Sequence, residues 1–380
     1  MTPQVAQSVA IAVLRERAAG ETRVAATPET VKKLTALGAT VTVEAEAGLA
    51  ASIADADYAA AGARIAESAA AQGADIVFGV QGPEIDVLAG ANPGAWVVAG
   101  LDPFGRRDRV EGYAAAGLEA LAMEFMPRIT RAQSMDILSS QANLSGYKAV
   151  LIAANLYGRA FPMMMTAAGT VSAAKAFVMG VGVAGLQAIA TARRLGAQVS
   201  ATDVRSATRE QIQSLGAKPI FVENVAGIEG EGAGGYATEM SPEYQKAQAE
   251  LVSSHIAKQD IVITTALIPG RAAPRLISDA QIATMKPGSV IYDLAVAQGG
   301  NVEGSVPDQV VERHGVKIVG FSNTPAQLPA DASALYSRNL FNFLNAFWDK
   351  DAGRPVLDEE IGNAIRLTQG GKIVHERLHP

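Results

Sequence analysis

Polar side chains are gathered in one short stretch of a chain that is otherwise rich in apolar residues. The stretch reads "MPRITRAQSMDILSSQANLSGY" (Met126–Tyr147) and has no His or Cys. It carries the guanidinium, amide, carboxylate and hydroxyl groups of Arg128, Arg131, Gln133, Ser134, Asp136, Ser139, Ser140, Gln141 and Asn143. One interpretation is a helix start that Ser134 caps and Asp136 favours, followed by a solvated face. The other is a ligand-binding segment at the carboxyl ends of parallel strands, where these polar groups would hold a ligand.

A glycine-rich turn follows the next apolar strand. The sequence "GVGVAG" places Gly180, Gly182 and Gly185 between this strand and a helix. In such a turn one glycine bends the chain, one lets the backbone approach a pyrophosphate, and one lets helix and strand pack closely. The helix N-terminus favours the phosphate charge. Asp203 ends the next strand, where a carboxylate accepts hydrogen bonds from ribose hydroxyls, so the spacing predicts a dinucleotide site.

Asp203 also bears on which dinucleotide binds. Its negative charge would repel a 2′-phosphate and therefore favours NAD over NADP. Arg205, two residues further on, is the kind of residue that accepts such a phosphate. Because the acid comes first, we predict NAD.

A second glycine-rich segment, "NVAGIEGEGAGGYATEM" (Asn224–Met240), is too glycine-dense for a regular element. It is longer than an ordinary connection. One interpretation is a mobile lid whose Tyr236 closes over a bound nucleotide. The other is an exposed insertion in which the tyrosine is incidental.

The elements that must position these residues form two α/β blocks. In the first block, apolar runs predict strands at Val9–Leu14, Thr40–Ala45, Asp75–Val80, Ala95–Gly100 and Glu119–Phe125. In the second block, the predicted helix Val183–Gly196 is accompanied by strands at Ala174–Gly180, Gln198–Asp203, Asp260–Ala266, Ser289–Ala295 and Val316–Phe321. The alternation predicts an α/β fold of two doubly wound parallel-sheet, Rossmann-like domains with a cleft between them.

One strongly amphipathic helix near the C-terminus is expected to return to the first block. Its apolar stripe comprises Leu340, Phe341, Leu344, Phe347 and Trp348. The predicted domains are therefore residues 1–130 with 325–380, and residues 145–320, the second carrying the dinucleotide motif.

Composition excludes several classes of protein. Of the 380 residues 49% are hydrophobic and 18% charged, which is typical of a globular chain. A net charge of −6 without a basic run argues against a nucleic-acid partner. The absence of cysteine excludes disulfides and thiolate metal sites. We expect no signal peptide and no membrane span, because the long apolar region from Val150 to Ala192 is broken by charges, proline and glycines.

The four histidines limit the chemistry. His255, His314, His375 and His379 all lie outside the polar stretch, and we expect His255, His375 and His379 at the surface. Oxidising an alcohol or an amine requires a proton acceptor at the reacting carbon. Hydride transfer between two nicotinamides requires positioning alone. A polar stretch without a base suits the second chemistry.

Long strings of this sequence resemble the NAD(H)-binding domain I of proton-translocating nicotinamide nucleotide transhydrogenase. They include "ETRVAATPE", "EFMPRITRAQSMDILSSQANLSGY", "FPMMMTAAGT", "GVGVAGLQAIATARRLGA", "GGYATEM", "TTALIPG" and "MKPGSVIYDLA". The resemblance implies a soluble, homodimeric component that binds NAD(H) and passes a hydride from NADH to NADP⁺ on a partner subunit, which binds NADP(H). Membrane-spanning subunits would couple this step to inward proton flow, which implies a cytoplasmic protein peripheral to the inner membrane.

The resemblance also assigns site residues. Arg128, Gln133 and Asp136 would position the nicotinamide without acid or base, and Gln133 would lie where two nicotinamides approach. Tyr236 would be the lid tyrosine. The full cofactor-binding set comprises Arg128, Arg131, Gln133, Ser134, Met135, Asp136, Ser139, Gly180, Gly182, Val183, Ala184, Gly185, Asp203, Val204, Arg205, Gly235, Tyr236, Gln248 and Leu267. No metal site is expected.

The sequence is similar, more distantly, to alanine dehydrogenases, with which it shares the motif around Arg23. That family's pattern needs a lysine and a histidine for its substrate pyruvate. The corresponding segments here have Gln81 and Gly100, so the resemblance implies that alanine dehydrogenase activity is the weaker alternative.

Overall fold

The structure, a computed structural model, describes residues 8–222, 241–268 and 271–379. Contacts within the chain divide it into two compact units. The first unit comprises Met1–Gln141 and Ala326–Pro380, and the second comprises Ala142–Pro325. The first unit therefore includes residues 131–141, which the division predicted from sequence leaves outside its first domain.

The first unit is an α/β domain. Its strands are β1 (Ala10–Val13), β2 (Thr40–Glu44), β3 (Arg64–Ala66), β4 (Ile76–Gln81), β5 (Trp96–Gly100) and β6 (Glu119–Ala122). Its helices are α1 (Pro28–Ala36), α2 (Asp55–Ala60), α3 (Arg107–Ala115), α9 (Pro329–Ala346) and α10 (Glu359–Ile365). The strands are parallel and lie in the order β3-β2-β1-β4-β5-β6. Alternate residues of β1 join two different apolar clusters, which explains its continuous apolar run.

The second unit repeats this architecture. Its strands are β9 (Lys175–Met179), β10 (Gln198–Thr202), β11 (Lys218–Pro219), β12 (Ile261–Thr264), β13 (Val290–Asp293), β14 (Val310–Arg313) and β15 (Val316–Val319). Its helices are α5 (Val183–Arg194), α6 (Thr208–Ser214), α7 (Pro242–Ile256) and α8 (Asp279–Ile282). The sheet order is β11-β10-β9-β12-β13-β15-β14, parallel except for β14. The predicted fold class, two Rossmann-like parallel-sheet domains, is confirmed.

Smaller elements complete the fold. A hairpin of β7 (Met164–Thr166) and β8 (Gly169–Val171) belongs to the second unit. Short pairs β16 (Trp348–Asp349) with β17 (Arg354–Pro355) and β18 (Thr368–Gln369) with β19 (Lys372–Ile373) lie near the C-terminus. Helix α4 (Ile137–Leu156) contains the boundary between the units. Among the described residues, we find no helix that is both long and apolar enough to cross a membrane.

The strand predicted at Glu119–Phe125 is shorter than expected. It ends at Ala122, and residues Met123–Phe125 form a short 3-10 helix. Within that 3-10 helix, the Glu124 carboxylate accepts hydrogen bonds from the backbone N–H groups of Leu101 (2.8 Å) and Asp102 (2.6 Å). Both bonds end on Oε1, and Oε2 is buried without a hydrogen-bond partner among the described residues.

The C-terminal amphipathic helix α9 belongs to the first unit, and it ends earlier than its apolar stripe suggests. Helix α9 stops at Ala346, so Phe347 and Trp348 lie beyond it, and Trp348 pairs with Pro355 instead. The helix also buries Tyr336 and Phe343, which the predicted stripe omits.

Candidate dinucleotide site

The glycine-rich turn lies at the carboxyl end of β9, directly before α5. Gly180 has φ +99°, and a Cβ there would stand 2.5 Å from Thr265 Oγ1. A Cβ on Gly185 would overlap the carbonyl oxygen of Gly180. A Cβ on Gly182 would meet nothing within 4 Å. The chain itself therefore needs the first and third glycines, whereas the space at Gly182 is open, and it fits a pyrophosphate approaching the backbone.

Asp203 follows β10 and closes onto this turn. It is buried, and its Oδ2 accepts a hydrogen bond from the Val181 backbone N–H at 2.7 Å. Arg205 donates to Oδ1 from its backbone N and from Nε, and to Oδ2 from Nη2, each at 2.9 Å. The predicted acid is thus in place beside the turn, and it is paired with the arginine that complicates the choice between NAD and NADP.

The loop after β12 packs against the glycine-rich turn within the second unit. Thr265 Oγ1 donates to the Gly180 carbonyl at 3.1 Å. Ala266 is held at both ends by Asn301, whose Oδ1 accepts from the Ala266 N–H and whose Nδ2 donates to the Ala266 carbonyl. The next residue, Leu267, is exposed. Asn301 therefore sets the position of a loop that packs against the glycine turn, although it is not in the predicted contact set.

Replacing Asn301 by alanine should destabilise the second unit. Asn301 is fully buried and also donates to the Pro274 carbonyl at 2.8 Å, so its loss leaves three backbone groups without partners. We expect a loss of about 2 kcal/mol in the free energy of unfolding, measured by urea denaturation. The control is Asn363→Ala at an exposed position of α10, expected within about 0.5 kcal/mol of wild type. A stability of Asn301→Ala equal to that of the control would contradict this role.

Helix α4 packs against the start of α5 at Gly146, a residue that the sequence motifs did not indicate. A Cβ on Gly146 would overlap the carbonyl oxygen of Ala184, in the first turn of α5. The helix backbones can approach this closely only because Gly146 lacks a side chain. Val183 and Ala184, two predicted contacts, are half-buried at this helix start.

The polar stretch forms a 3-10 helix (Thr130–Met135) that leads into α4. Asp136 caps α4, since its Oδ1 accepts from the Ser139 N–H at 2.9 Å and its Oδ2 from the Ser139 hydroxyl at 2.6 Å. The interpretation in which Ser134 caps the helix is therefore wrong. Ser134 is exposed one turn earlier, and its carbonyl accepts hydrogen bonds from the side-chain amides of Asn339 and Asn342 of α9.

Side chains of the 3-10 turn divide into anchors and exposed groups. Met135 is buried in the apolar core of the first unit, so it anchors the turn. Arg131 is exposed and pairs with Asp358 and Glu360, at 2.5 Å each. Its contact with a nucleotide stays a prediction.

Gln133 is exposed on this turn, and Arg128 is exposed two residues before the turn begins. Among the described residues the Gln133 amide has no hydrogen-bond partner. This amide is therefore available to a ligand.

The remaining predicted contacts are scattered or lie outside the described part of the chain. Val204 is half-buried after β10, and Gln248 is half-buried on α7. Gly235, Tyr236 and the predicted lid fall outside the described residues. Within residues 8–222, 241–268 and 271–379, no group of three His, Asp or Glu side chains could hold a metal ion.

Both domains of one protein family match this chain. The alanine dehydrogenase/PNT N-terminal domain matches residues 12–145, and the corresponding C-terminal domain matches residues 149–376. The chain belongs to the alanine dehydrogenase/PNT family. The C-terminal match includes α9 and α10, which the structure places in the first unit.

Relatives within this family are similar over nearly the full length. This chain is 53% identical to the first part of NAD(P) transhydrogenase subunit alpha of Rhodospirillum rubrum, over 97% of this chain and 98% of that protein. A crystal structure of transhydrogenase from Sinorhizobium meliloti is 53% identical with a TM-score of 0.88, covering 96% of this chain and all of that one. An L-alanine dehydrogenase structure is 25% identical with a TM-score of 0.78, covering 97% and 98% of the two chains. The chain is therefore an NAD-binding oxidoreductase of the transhydrogenase alpha type.

A buried polar network surrounds Arg23. Arg23 donates to Glu21 from Nε and Nη2, both at 2.7 Å, and to Gln141 at 2.9 Å. Burial alone would raise the pKa of Glu21, but the hydrogen bonds and charge of Arg23 lower it to about 2. Gln81 also donates to Glu21, at 3.0 Å.

The histidines play structural parts in this family member. His375, expected at the surface, is buried, with its ring packed against Phe125 and its Nε2 hydrogen-bonded to the Ala364 carbonyl at 3.0 Å. His255 is half-buried beside Phe177, 2.8 Å from the Ser200 hydroxyl, and burial lowers its pKa. The surface assignment is wrong for His375 because the C-terminal tail folds back onto the first unit.

Proposed function

We propose that this chain is the NAD(H)-binding component of a proton-translocating transhydrogenase. It would pass a hydride from NADH to NADP⁺ held on a partner subunit. The observation that carries the proposal is the 53% identity to the Rhodospirillum rubrum subunit alpha protein over 97% of the chain. That relative's name, a portion of one subunit, implies further subunits. We infer an NADP(H)-binding subunit and a membrane-spanning subunit that couples transfer to proton flow, with this chain on the cytoplasmic side.

The second unit supplies the residues that would hold the adenosine and pyrophosphate of NAD(H). The open space at Gly182, the start of α5 and the buried carboxylate of Asp203 fit that role in size, dipole and charge. When bound, NADH supplies the transferable hydride from its nicotinamide. The residues of this chain bind and orient that ring.

The first unit supplies the residues that would aim the nicotinamide. Gln133 is exposed on a turn that is held in place by Met135 and by the α9 asparagines, and Arg128 is exposed two residues before that turn. A fixed turn with exposed polar tips favours orientation over proton transfer. This agrees with a reaction in which the reacting carbons exchange no proton.

Two other functions remain to be separated by experiment. An alanine dehydrogenase would need cationic groups for its oxoacid, and Gln81 and Gly100 stand at those positions. A nucleotide-sensing module would bind NADH without catalysing transfer. Neither alternative has an observation in its favour that the transhydrogenase proposal lacks.

One assay distinguishes the three functions. The pure chain is given NADH with pyruvate and ammonia, and separately NADH with thio-NADP⁺ and an NADP(H)-binding transhydrogenase subunit. We expect transfer only in the second mixture. Turnover with pyruvate would establish the dehydrogenase. Inactivity of the second mixture, with both subunits shown to bind their nucleotides, would refute the proposed function.

We further propose that the chain is a homodimer in which the β7–β8 hairpin contacts the second copy. Met165 in this hairpin is 80% exposed and Met163, directly before it, is 63% exposed, which is an unusual apolar surface for a segment that faces water. Met165→Asp should shift the chain from dimer to monomer in sedimentation velocity. Leu49→Asp, at another exposed apolar position, is the control and should stay dimeric. A monomeric wild-type chain, or an unaffected Met165→Asp variant, would refute the proposal.

A further inference from the structure

The carboxylate of Asp203 has no acceptor capacity left in this structure. A carboxylate offers about four acceptor positions, two on each oxygen. Oδ1 receives the backbone N and the Nε of Arg205, and Oδ2 receives the Val181 backbone N and the Nη2 of Arg205. A ribose hydroxyl therefore cannot bond to Asp203 unless one of these donors leaves.

The four donors differ in how easily they can leave. The two backbone donors, the N–H groups of Val181 and Arg205, are fixed by the strand ends that carry them. The two side-chain donors belong to Arg205, whose guanidinium can rotate away without refolding the chain. Its departure would free one position on each oxygen. Two free positions, one on each oxygen, match the two hydroxyls of a vicinal diol.

We propose that the Arg205 side chain is an internal competitor for the adenosine ribose of NAD(H). It occupies the two acceptor positions on Asp203 that the ribose 2′- and 3′-hydroxyls require, so binding displaces it. This rests on the proposed NAD(H)-binding function and assigns Arg205 a role in affinity and specificity. While the arginine is paired, it also neutralises the charge with which Asp203 repels a 2′-phosphate.

The first unit contains a matched pair without a glycine-rich turn. Glu44 ends β2, the counterpart of β10, and accepts the Arg15 backbone N–H at 2.9 Å and the Arg17 guanidinium at 2.5 Å. An arginine paired with the carboxylate at the end of the second strand therefore occurs in both units. We expect competition with a ribose only at Asp203, because only Asp203 would bind one. The pair provides a control with the same chemistry outside the proposed site.

The experiment is a double-substitution cycle on the full chain, read by the dissociation constants of NADH and NADPH from fluorescence titration. Arg205→Ala should tighten NADH binding roughly fivefold, the equivalent of about 1 kcal/mol for one ion pair. It should weaken NADPH binding, because the freed Asp203 charge repels the 2′-phosphate and a cation is lost. Arg205→Lys, which keeps the charge but cannot fill both positions, should lie between Ala and wild type.

The Asp203→Asn background isolates the competition. There, Arg205→Ala should change NADH affinity by less than about twofold, since the competitor has no carboxylate to occupy. Arg17→Ala should leave both affinities at wild-type values. Thermal unfolding of each variant reports its fold separately from its nucleotide affinity.

Three results would overturn the inference. Weaker NADH binding by Arg205→Ala would show that the arginine holds the nucleotide directly. An equal effect of Arg205→Ala in the wild-type and Asp203→Asn backgrounds would show that the carboxylate is not involved. Unchanged NADH affinity in Asp203→Asn alone would remove the ribose contact, and that result also counts against the proposed binding site, whereas the first two leave it intact.

Discussion

Gly182→Ala should weaken NADH binding about 100-fold while the protein folds as the wild type does. The fold should tolerate the substitution, because Gly182 has φ −80° and its Cβ would meet nothing within 4 Å. Nucleotide binding should be impaired, because the methyl group would fill the space through which the pyrophosphate reaches the backbone. A 100-fold change corresponds to about 2.7 kcal/mol. Isothermal titration with NADH measures it, and thermal unfolding reports the fold.

The choice of Gly182 rests on the contrast between the glycines of the turn. Gly185→Ala would push a methyl group into the Gly180 carbonyl, so a loss of binding could reflect a damaged fold. Gly112→Ala, on α3 of the first unit, is the matched control, because its Cβ also meets nothing within 4 Å. It should bind NADH as the wild type does. Wild-type affinity in Gly182→Ala would contradict the assignment of this turn to the pyrophosphate.

Gln133→Ala should slow hydride transfer about 100-fold and leave NADH affinity within about twofold of wild type. The side chain is exposed on the 3-10 turn and supports no other described residue, so its loss should not unfold the turn. A displacement of the reacting ring by about 1 Å is enough for a rate effect of this size. The measurement is single-turnover transfer from NADH to NADP⁺ in the reconstituted mixture.

The control for Gln133→Ala is Gln213→Ala, an exposed glutamine on α6. Transfer rate and affinity should both be unchanged in it. An effect of Gln133→Ala on affinity alone would assign Gln133 to binding. It would then have no part in aiming the nicotinamide.

Local patterns in the sequence predicted the elements and the glycine turn well. The apolar runs that became β1 and β9 needed no knowledge of partners, since a strand buried on both faces shows in its own residues. The glycine turn could also be predicted locally. Gly180 and Gly185 are required by the close approach of nearby groups, and Gly182 leaves open space beside the backbone. Asp203 could be placed because its distance from the turn along the chain is fixed by one helix and one strand.

Long-range contacts could not be predicted in this way. Asn339 holds the Ser134 carbonyl from 205 residues away, and Asn301 holds Ala266 from 35 residues away. A buried asparagine and an exposed one look alike in sequence, and only the partner distinguishes them. The same limit applies to His375, whose burial depends on where the tail folds.

The sequence also could not predict which of several neighbouring polar groups forms a given hydrogen bond. Ser134 and Asp136 are both favourable capping residues. Because α4 begins at Ile137, Asp136 is the residue that precedes it and caps it. Asp203 and Arg205 were visible as neighbours, but their mutual hydrogen bonds emerge only once the chain direction after β10 is known. These are the positions at which the candidate site required a structure.

The most direct test of the central claim is isotope transfer in the reconstituted mixture. NADH carrying two deuterium atoms at the reacting carbon is incubated with this chain, the NADP(H)-binding subunit and NADP⁺ in ordinary water. Mass spectrometry then measures deuterium in the NADPH formed. Direct transfer, with no base taking part, predicts one deuterium in each NADPH and none released to water. NADPH without deuterium, or no NADPH while both nucleotides are bound, would contradict the claim.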